Sequence, residues 1–332
     1  MSNGELSSTV ALLQAADAFG LDVARHSVVW KTNHVARVEG ADGLAYAFKH
    51  FRAPALATKE SSILLHLARA APQCNVQKLQ RCENGDALAA TERGPMMVSQ
   101  WIEGACKAYD TIDAGGWKVL GRTLGALHKA LADMPTGCTA SLSESLSSLD
   151  LCEERARLIE DREALRSLGV PSEALSLQDA RRQLLEVHLD RCQSNWPGGE
   201  VQVIHNDYNV HNYIFGTNGK VSVIDWDRSI VAAREYEVVR CLNHLPLQSP
   251  SLASAFVAGY SELVSLEPGL LEWAIHASMV SHASKHWPTE LALAGAPSSI
   301  ERLVALEQIV GLLAQSEGKL LSFFLNQVTT NN

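Results

Sequence analysis

The sequence predicts an α+β fold of two unequal lobes, an N-terminal antiparallel sheet with helices and a larger, mainly helical C-terminal part. Short apolar runs separated by turns fill the first third of the chain, and from Thr111 onward they give way to long amphipathic patterns with helical spacing. A chain of 332 residues also exceeds the size at which one hydrophobic core usually stops growing. We therefore expect an N-terminal lobe over residues 1–104 and a C-terminal lobe over residues 105–332.

The composition narrows the classes of partner. A hydrophobic content of 46% is ordinary for a soluble protein with a sizeable core. The net charge of −9, without a long basic run, argues against nucleic acid as a partner. No apolar run approaches the ~18 residues of a membrane helix, so we expect no membrane partner. The first residues lack the basic region and apolar core of a signal peptide.

Cysteine usage suggests the compartment. The seven cysteines lie far apart, without a Cys-x-x-Cys pair. Reduced thiols in a cytoplasmic protein are therefore expected.

The N-terminal elements form a helix followed by a meander. Residues 9–19 carry apolar side chains at helical spacing and end at Gly20, which predicts an amphipathic helix. Strands are predicted over residues 26–30, 34–38 and 44–49, joined by short polar turns. Because each connection is short, we expect neighbouring strands to pair antiparallel.

The next elements complete the first lobe, and helices fill the second. Residues 55–69 predict a helix, and residues 87–91 and 96–99 predict two further strands. In the C-terminal part the predicted helices cover residues 117–132, 152–168, 174–196, 238–245, 251–263, 268–286 and 299–327.

Two buried strands in the middle of the C-terminal part end in polar residues. One apolar run ends at His205, just before Asp207, and a second ends at Asp225. Between them lies a third short strand, residues 213–215, and the glycine-flanked turn that follows predicts a hairpin.

The hairpin predicts a cluster of oxygen ligands. It brings Asp207, Asn212 and Asp225 toward one edge. Carboxylate and amide oxygens suit Mg²⁺, which commonly takes one or two carboxylates together with substrate phosphates. A polar hairpin loop with chance carboxylates is the alternative interpretation.

These residues carry a resemblance to a known family. The pattern H-x-D-x-x-x-x-N over residues 205–212, followed by I-D-W-D over residues 224–227, resembles the catalytic and metal-binding loops of the aminoglycoside phosphotransferase and choline kinase-like family. The resemblance implies a bilobal protein-kinase-like fold. It also implies a kinase that transfers the γ-phosphoryl group of ATP to a hydroxyl of a small molecule.

The resemblance assigns roles to the loop residues. Asp207 is expected to be the catalytic base, and Asn212 and Asp225 are expected to bind Mg²⁺. Asp227 is expected either to contact the metal through water or to stabilise the loop. His205 is expected to brace the loop through backbone hydrogen bonds.

The resemblance also implies how the first lobe binds ATP. Lys49 occupies the position of the lysine that contacts the phosphates, and Glu60 that of its glutamate partner. The backbone of Gln100 and Ile102 is expected to meet the adenine edge. Each assignment has a structural alternative, namely an exposed strand lysine, a solvated helix face and an ordinary buried strand.

The turn over the phosphates departs from the family. The segment Lys31-Thr32-Asn33-His34 has no glycine, so the close backbone approach to phosphate must be replaced by another contact. We assign this contact to Asn33 or to the hydroxyl of Thr32.

The acceptor is the least specified part of the sequence. The segment after Asp227 is short, which favours a small molecule over a peptide. Acidic residues at 153–154 and 160–163 are suited to a cationic acceptor, but interspersed arginines favour charges paired within the helix. A homoserine, choline or ethanolamine kinase, and a nucleotide-binding pseudokinase that acts by interaction, remain alternatives.

Overall fold

The computed structural model describes residues 3–32, 34–194, 196, 198–217 and 219–331. The strands are β1 (Val23–Trp30), β2 (Val35–Gly40), β3 (Ala45–His50), β4 (Ala89–Thr91), β5 (Gly94–Gln100), β6 (Gln202–Ile204), β7 (Tyr213–Phe215), β8 (Val221–Val223) and β9 (Ile230–Ala232). The helices are α1 (Asn3–Ala18), α2 (Pro54–Ala70), α3 (Ala114–Leu131), α4 (Leu142–Ser147), α5 (Leu151–Ser167), α6 (Ser172–Ser194), α7 (Arg234–Leu242), α8 (Leu245–Gln248), α9 (Pro250–Ser261), α10 (Pro268–Ala283), α11 (Trp287–Leu293), α12 (Ser299–Ala314) and α13 (Glu317–Asn331). Within these ranges, every helix is too short or too polar to span a membrane.

The chain divides into two compact units. The first consists of Met1–Ile112, Ala126–Thr139 and His205–Ser229, and the second consists of Asp113–Gly125, Ala140–Ile204 and Ile230–Asn332. The polar loop after His205 therefore belongs to the same compact unit as the N-terminal sheet. The lobe boundary at residue 104 stays a prediction.

The first unit is built on an antiparallel sheet, as the meander pattern predicts. Its strand order is β1-β2-β3-β5-β4. Leu12 of helix α1 and Phe19, directly after the helix, belong to a core that includes Val38, Phe48 and Val98 from the sheet. The register of β3 and β5 pairs Lys49 with Met97 and fixes the direction of the Lys49 side chain.

Helix α2 buries one face, and a charged residue lies on that face. The buried positions, Ala57, Glu60, Ser61, Ile63, Leu64 and Leu67, recur at helical spacing. Pro54 begins the helix, where a missing N–H costs nothing. The periodicity that buries the leucines therefore also buries Glu60, with none of its surface exposed.

The second unit is a helical assembly around α6. This helix packs against α5, α10 and α12. The buried imidazoles of His188 and His276 form a hydrogen bond between their Nδ1 atoms, 2.8 Å apart. Trp273 donates from its indole nitrogen to the carbonyl of Cys192 at 3.2 Å. These polar groups lie inside the unit but satisfy one another, which removes most of the cost of burying them.

The charges of α5 are arranged differently from the sequence-based expectation. The prediction that they pair within the helix is wrong, because its arginines pair with other helices, in Arg155–Glu186, Arg157–Glu290 and Arg162–Asp179. Two carboxylates that lie two turns apart on one face of α5 hold His286, whose Nε2 lies 2.9 Å from Glu154 and whose Nδ1 lies 3.3 Å from Asp161. The acidic residues thus connect α5 to the rest of the helical unit.

Three predicted helices are interrupted in the structure. The helix predicted over residues 299–327 is two helices, and Ser316 with Glu317 begins the second, a combination typical of helix N-termini. The helix predicted over residues 268–286 ends at Ala283, before α11. The helix predicted over residues 238–245 ends at Leu242, because the next residue, Asn243, has a φ of 47° that stops helical propagation.

Helices α3 and α9 touch through glycines, which yields a stability prediction. A Cβ at Gly121 would overlap the carbonyl oxygen of Phe256, and one at Gly259 would overlap that of Lys118. Gly121→Ala should therefore lower the free energy of unfolding by about 1–3 kcal/mol, the usual cost of overpacking. Thermal and denaturant unfolding measure this change.

The same helix offers a matched control. A Cβ at Gly115 would lie 3.6 Å from a carboxylate oxygen of Asp113, which is ordinary contact. Gly115→Ala should leave stability unchanged or raise it slightly, since alanine favours the helix. Equal destabilisation by both substitutions would contradict the close approach of α3 and α9.

Candidate active site

A buried lysine joins two carboxylates from distant parts of the sequence. The Nζ atom of Lys49 lies 2.7 Å from Oε2 of Glu60 and 2.6 Å from Oδ1 of Asp225. The Lys49 side chain is 14% exposed and the Glu60 side chain is fully buried. Strand β3, helix α2 and the end of β8 therefore meet at one ammonium group.

The burial of this cluster changes its proton affinities. Burial raises the pKa of Glu60 to about 7, although the neighbouring Lys49 opposes this change. Burial by itself lowers the pKa of Lys49, but the carboxylates of Glu60 and Asp225 outweigh it and leave the pKa raised. The Oε1 atom of Glu60 is buried without a hydrogen-bond partner among the described residues. Lys49 thus stays charged, while Glu60 is the group that changes protonation near neutral pH.

The loop after β6 holds the predicted base in a fixed orientation. The backbone N–H of Asp207 donates to Nδ1 of His205 at 3.2 Å, and Nε2 of His205 lies 2.9 Å from the carbonyl oxygen of Ile224. Because Nδ1 accepts, Nε2 is the protonated nitrogen and donates to that carbonyl. His205 therefore ties the loop to the strand that leads to Asp225.

Two asparagines orient the carboxylate of Asp207. Asn209 donates to Oδ1 at 2.9 Å, and Asn212 donates to Oδ2 at 2.9 Å and to the backbone carbonyl of Asp207 at 2.8 Å. The carboxylate is partly buried but keeps lone pairs on both oxygens for a further hydrogen bond. The arrangement can therefore orient a hydroxyl group and accept its proton.

The predicted hairpin brings the metal-binding candidates together. Strands β7 and β8 pair antiparallel, and the backbone N–H of Ile224 donates to the carbonyl of Asn212 at 3.1 Å. Asp225 follows with a φ of 67°, a left-handed conformation that is uncommon for a residue with a side chain. Such strain often occurs at functional sites, where the surroundings enforce it.

Asn212 and Asp225 line a cavity together with the sheet. The cavity has a volume of about 300 Å³, within the usual size of small-molecule sites. Its lining residues are Lys31, Thr32, Val35, Ala47, Lys49, Gln77, Ser99, Gln100, Trp101, Ile102, His211, Asn212, Ile214, Ile224 and Asp225. The lining includes the cations Lys31 and Lys49 and the segment at the end of β5, and Lys31 lies over the ring of Trp101, 5.9 Å from its centroid.

The turn between β1 and β2 is closed by a threonine instead of a glycine. The hydroxyl of Thr32 accepts from the backbone N–H groups of His34, at 3.1 Å, and Val35, at 3.0 Å. This is a side-chain turn of the kind that serine and threonine form. Asn33, the other predicted phosphate contact, lies outside the described residues.

The donors at this site fit a magnesium ion. The amide nitrogen of Asn212 is engaged by Asp207, which leaves its oxygen as the ligand atom, and Asp225 supplies a carboxylate oxygen to the same cavity. Oxygen donors beside a phosphate-sized space are the ligands that Mg²⁺ prefers. Asp227 is not among the lining residues of the cavity, although its charge acts on Glu60.

The structure adds residues that the sequence patterns did not indicate. Asn209 orients Asp207, but an asparagine in a loop carries no signal of this role. Gln77 and Ser99 line the cavity and are buried. Gln77 lies in an irregular segment, so no periodicity could have placed it beside β5.

A comparison with protein families identifies this arrangement. The model of the phosphotransferase enzyme family, APH, matches residues 30–274, which is more than half of the chain. The chain belongs to this family. The resemblance to the aminoglycoside phosphotransferase and choline kinase-like family is thereby confirmed. The phosphotransferase is a small-molecule kinase, and its family uses ATP with a divalent metal ion.

Solved structures confirm the protein-kinase-like fold. The phosphotransferase is similar to spectinomycin phosphotransferase APH(9)-Ia in complex with ADP and spectinomycin, with a TM-score of 0.65, 14% identity, and coverage of 94% of this chain and 98% of that chain. It is also similar to a microcompartment-associated aminopropanol kinase, with a TM-score of 0.58, 17% identity, and coverage of 98% and 99%.

A third structure extends the comparison to another nucleotide. The GDP and kanamycin complex of APH(2") has a TM-score of 0.58, 14% identity, and coverage of 92% of this chain and 97% of that chain. No curated protein sequence is detectably similar to the phosphotransferase. At these identities the structural likeness establishes the fold and leaves the acceptor open.

The raised pKa of Glu60 yields a prediction for nucleotide binding. As the pH falls through about 7, Glu60 takes up a proton and its ion pair with Lys49 is lost. Affinity for Mg-ADP, measured by calorimetry on both sides of this pH, should therefore decrease on the acid side. Glu60→Gln should weaken binding roughly tenfold at alkaline pH, the range of a hydrogen bond to a charged group.

The pH profile of the variant separates this role from a structural one. Glu60→Gln carries no titrating group at this position, so its affinity should lose the step near pH 7. The exposed Glu83 provides a matched control, and Glu83→Gln should keep the wild-type profile. An unchanged step in the Glu60 variant would show that another group causes it.

Proposed function

We propose that this phosphotransferase moves the γ-phosphoryl group of ATP to a hydroxyl of a small amine-bearing molecule, such as an aminoglycoside or a related amino or sugar alcohol. One observation carries the proposal. Lys49 contacts both Glu60 and Asp225 at the wall of a cavity, and the loop that orients Asp207 contributes Asn212 to the same wall. Phosphoryl transfer requires mainly positioning and charge neutralisation, and these residues supply both.

Asp207 is the proposed catalytic base. Hydrogen bonds from Asn209 and Asn212 fix its two oxygens. A hydroxyl that donates to either oxygen is oriented toward the phosphate and transfers its proton there as the bond to phosphorus forms. The leaving ADP keeps the bridging oxygen.

Lys49 is the proposed anchor for the phosphates. Its ammonium donates to the buried Glu60 and to Asp225, and the third N–H of the group is proposed to bind a phosphate oxygen. The backbone of Gln100 and Ile102, which line the same cavity, is proposed to receive the adenine edge. Asn33 is proposed to approach the phosphates from the turn between β1 and β2.

Asn212 and Asp225 would hold Mg²⁺, and Asp227 would contact it through water or stabilise the loop. When bound, the metal neutralises the charge of the phosphate oxygens. The left-handed backbone of Asp225 aims its carboxylate into the cavity in advance, so its orientation requires no further ordering.

The amine-bearing acceptor is supported by the relatives. The similar structures include an aminopropanol kinase and complexes with spectinomycin and kanamycin. A metabolic amino alcohol kinase of the homoserine, choline or ethanolamine type is the second candidate. The contacts of Lys49 with Asp225 and of Asn212 with Asp207 support a kinase over a pseudokinase. The ATP-containing cytoplasm is the proposed location.

An acceptor panel tests the proposal. Purified protein is incubated with Mg-ATP and, separately, aminoglycosides, choline, ethanolamine, aminopropanol, homoserine and simple sugars, and ADP release is measured. Stimulation by one class supports the kinase and names its acceptor. Tight ATP binding without turnover on any acceptor would overturn the kinase in favour of the pseudokinase.

Replacing the base gives a sharper prediction. Asp207→Asn should reduce acceptor-stimulated turnover by about two orders of magnitude or more, because it removes the proton acceptor. The affinity for Mg-ADP should stay within about twofold, since Asp207 does not line the cavity. Turnover and calorimetry measure the two effects.

A surface carboxylate provides the control. Asp110 is exposed in a short helical turn outside the cavity, and Asp110→Asn should leave turnover unchanged. If Asp207→Asn keeps more than about a tenth of the wild-type rate, the base must be another group.

A further inference from the structure

A glutamine outside every recognised motif lies at the inner wall of the cavity. Gln77 belongs to the segment that follows α2, and this segment is attached on two sides. Three backbone hydrogen bonds hold it: the N–H of Gln80 donates to the carbonyl of Val98, that of Gln100 to Lys78, and that of Val223 to Asn75. The backbone around Gln77 is therefore fixed between β5 and β8.

The amide oxygen of Gln77 has no hydrogen-bond partner in the part of the chain that the structure describes. The residue is 9% exposed, it lines the cavity, and its Oε1 atom is buried without a hydrogen bond among the described residues. A buried amide oxygen without a partner costs free energy that a bound ligand can recover. Polar groups of this kind at a cavity wall indicate a ligand that supplies the missing donor.

The neighbouring residue on β5 leaves room for that ligand. Ser99 lines the same cavity, is 1% exposed, and faces Ala47 across the strand pair. Two small side chains thus line the cavity together with Gln77 and occupy little of its volume. Gln100 and Ile102 follow directly on the chain, so the amide and the proposed adenine-binding backbone face one space.

We propose that Gln77 selects adenine over guanine by reading the edge of the purine that carries N7 and the 6-substituent. This inference rests on the proposed nucleotide site. The Oε1 atom accepts one hydrogen of the adenine amino group, and the Nε2 amide donates to N7, the bidentate pairing that glutamine makes with adenine. The second hydrogen of the adenine amino group then stays available for a hydrogen bond to a backbone carbonyl at Gln100 or Ile102.

Guanine cannot make the same pair. It presents two acceptors, O6 and N7, on this edge. In either orientation of the amide, Oε1 of Gln77 then faces an acceptor lone pair, and one polar atom stays buried and unpaired. The related structures contain ADP in one complex and GDP in another, so the fold itself accepts both purines and the choice depends on individual residues.

Atom-deleted nucleotides test the proposal on the unaltered protein. Calorimetry with Mg²⁺ compares ADP, GDP and 7-deaza-ADP, which lacks only the N7 acceptor. We expect ADP to bind about ten- to a hundredfold more tightly than GDP, the usual discrimination of a bidentate amide pair, and 7-deaza-ADP to bind more weakly than ADP. Equal affinities for all three would overturn the inference.

Variants assign the effect to this residue. Gln77→Met keeps the volume and removes both polar atoms, so it should abolish the preference for ADP over GDP and over 7-deaza-ADP. Gln80→Met, in the same segment but outside the cavity lining, should keep both preferences. Circular dichroism and thermal unfolding check that each variant is folded, and the comparison on the unaltered protein does not depend on them.

The outcomes separate this inference from the proposed function. If ADP and GDP bind to Gln77→Met with the wild-type ratio, Gln77 does not select the purine, and the kinase proposal is unaffected. If neither nucleotide binds to the wild-type protein, the nucleotide site and the inference both fail.

Discussion

The structure of the site depends on one ammonium group held between two carboxylates. Lys49 reaches Glu60 from α2 and Asp225 from the end of β8, so the sheet, the helix and the loop must all be in place before the contact forms. Burying Glu60 completely is costly, and buried ion pairs seldom repay their desolvation. The contact is therefore poorly explained as a source of stability. It is better explained by its effect on the cavity wall, because it holds the Lys49 ammonium in one position and one orientation.

Much of this arrangement follows from patterns that a sequence carries. Short apolar runs locate the strands, and a polar residue directly after a buried strand must emerge at its end, which is how Asp225 could be predicted. Glu60 could be paired with Lys49 because the kinase pattern links a strand lysine to a helix glutamate. Gln77 could not be predicted, since its place depends on hydrogen bonds between an irregular segment and two distant strands. The pairing of the α5 charges was also predicted wrongly, because a sequence shows which residues share a helix but not which helices pack together.

At several positions of the site, the chain has a residue with a side chain where glycine is more common. Asp225 has a φ of 67° and Asn206 a φ of 62°, a region where glycine is the more common residue. Asn206 compensates by donating to the carbonyl of Arg228 at 3.0 Å, so the strained loop is attached to the segment beyond Asp225. In the turn between β1 and β2, the Thr32 hydroxyl accepts two backbone hydrogen bonds and so stabilises the turn. A glycine would instead allow a tight turn through its conformational freedom. Side-chain hydrogen bonds to the backbone thus stabilise loop conformations that glycine would adopt without them.

The distribution of carboxylates restricts where an amine-bearing acceptor can be recognised. An ammonium group is bound by acidic side chains that are not already neutralised. On α5, Glu154 and Asp161 are committed to His286, which is itself buried, and the arginines of that helix neutralise acidic residues on its neighbours. Releasing these groups for a ligand would leave His286 without its partners inside the helical unit. The negative charge of Glu154 and Asp161 is therefore structural, and specificity for the acceptor must come from groups that the helical packing does not engage.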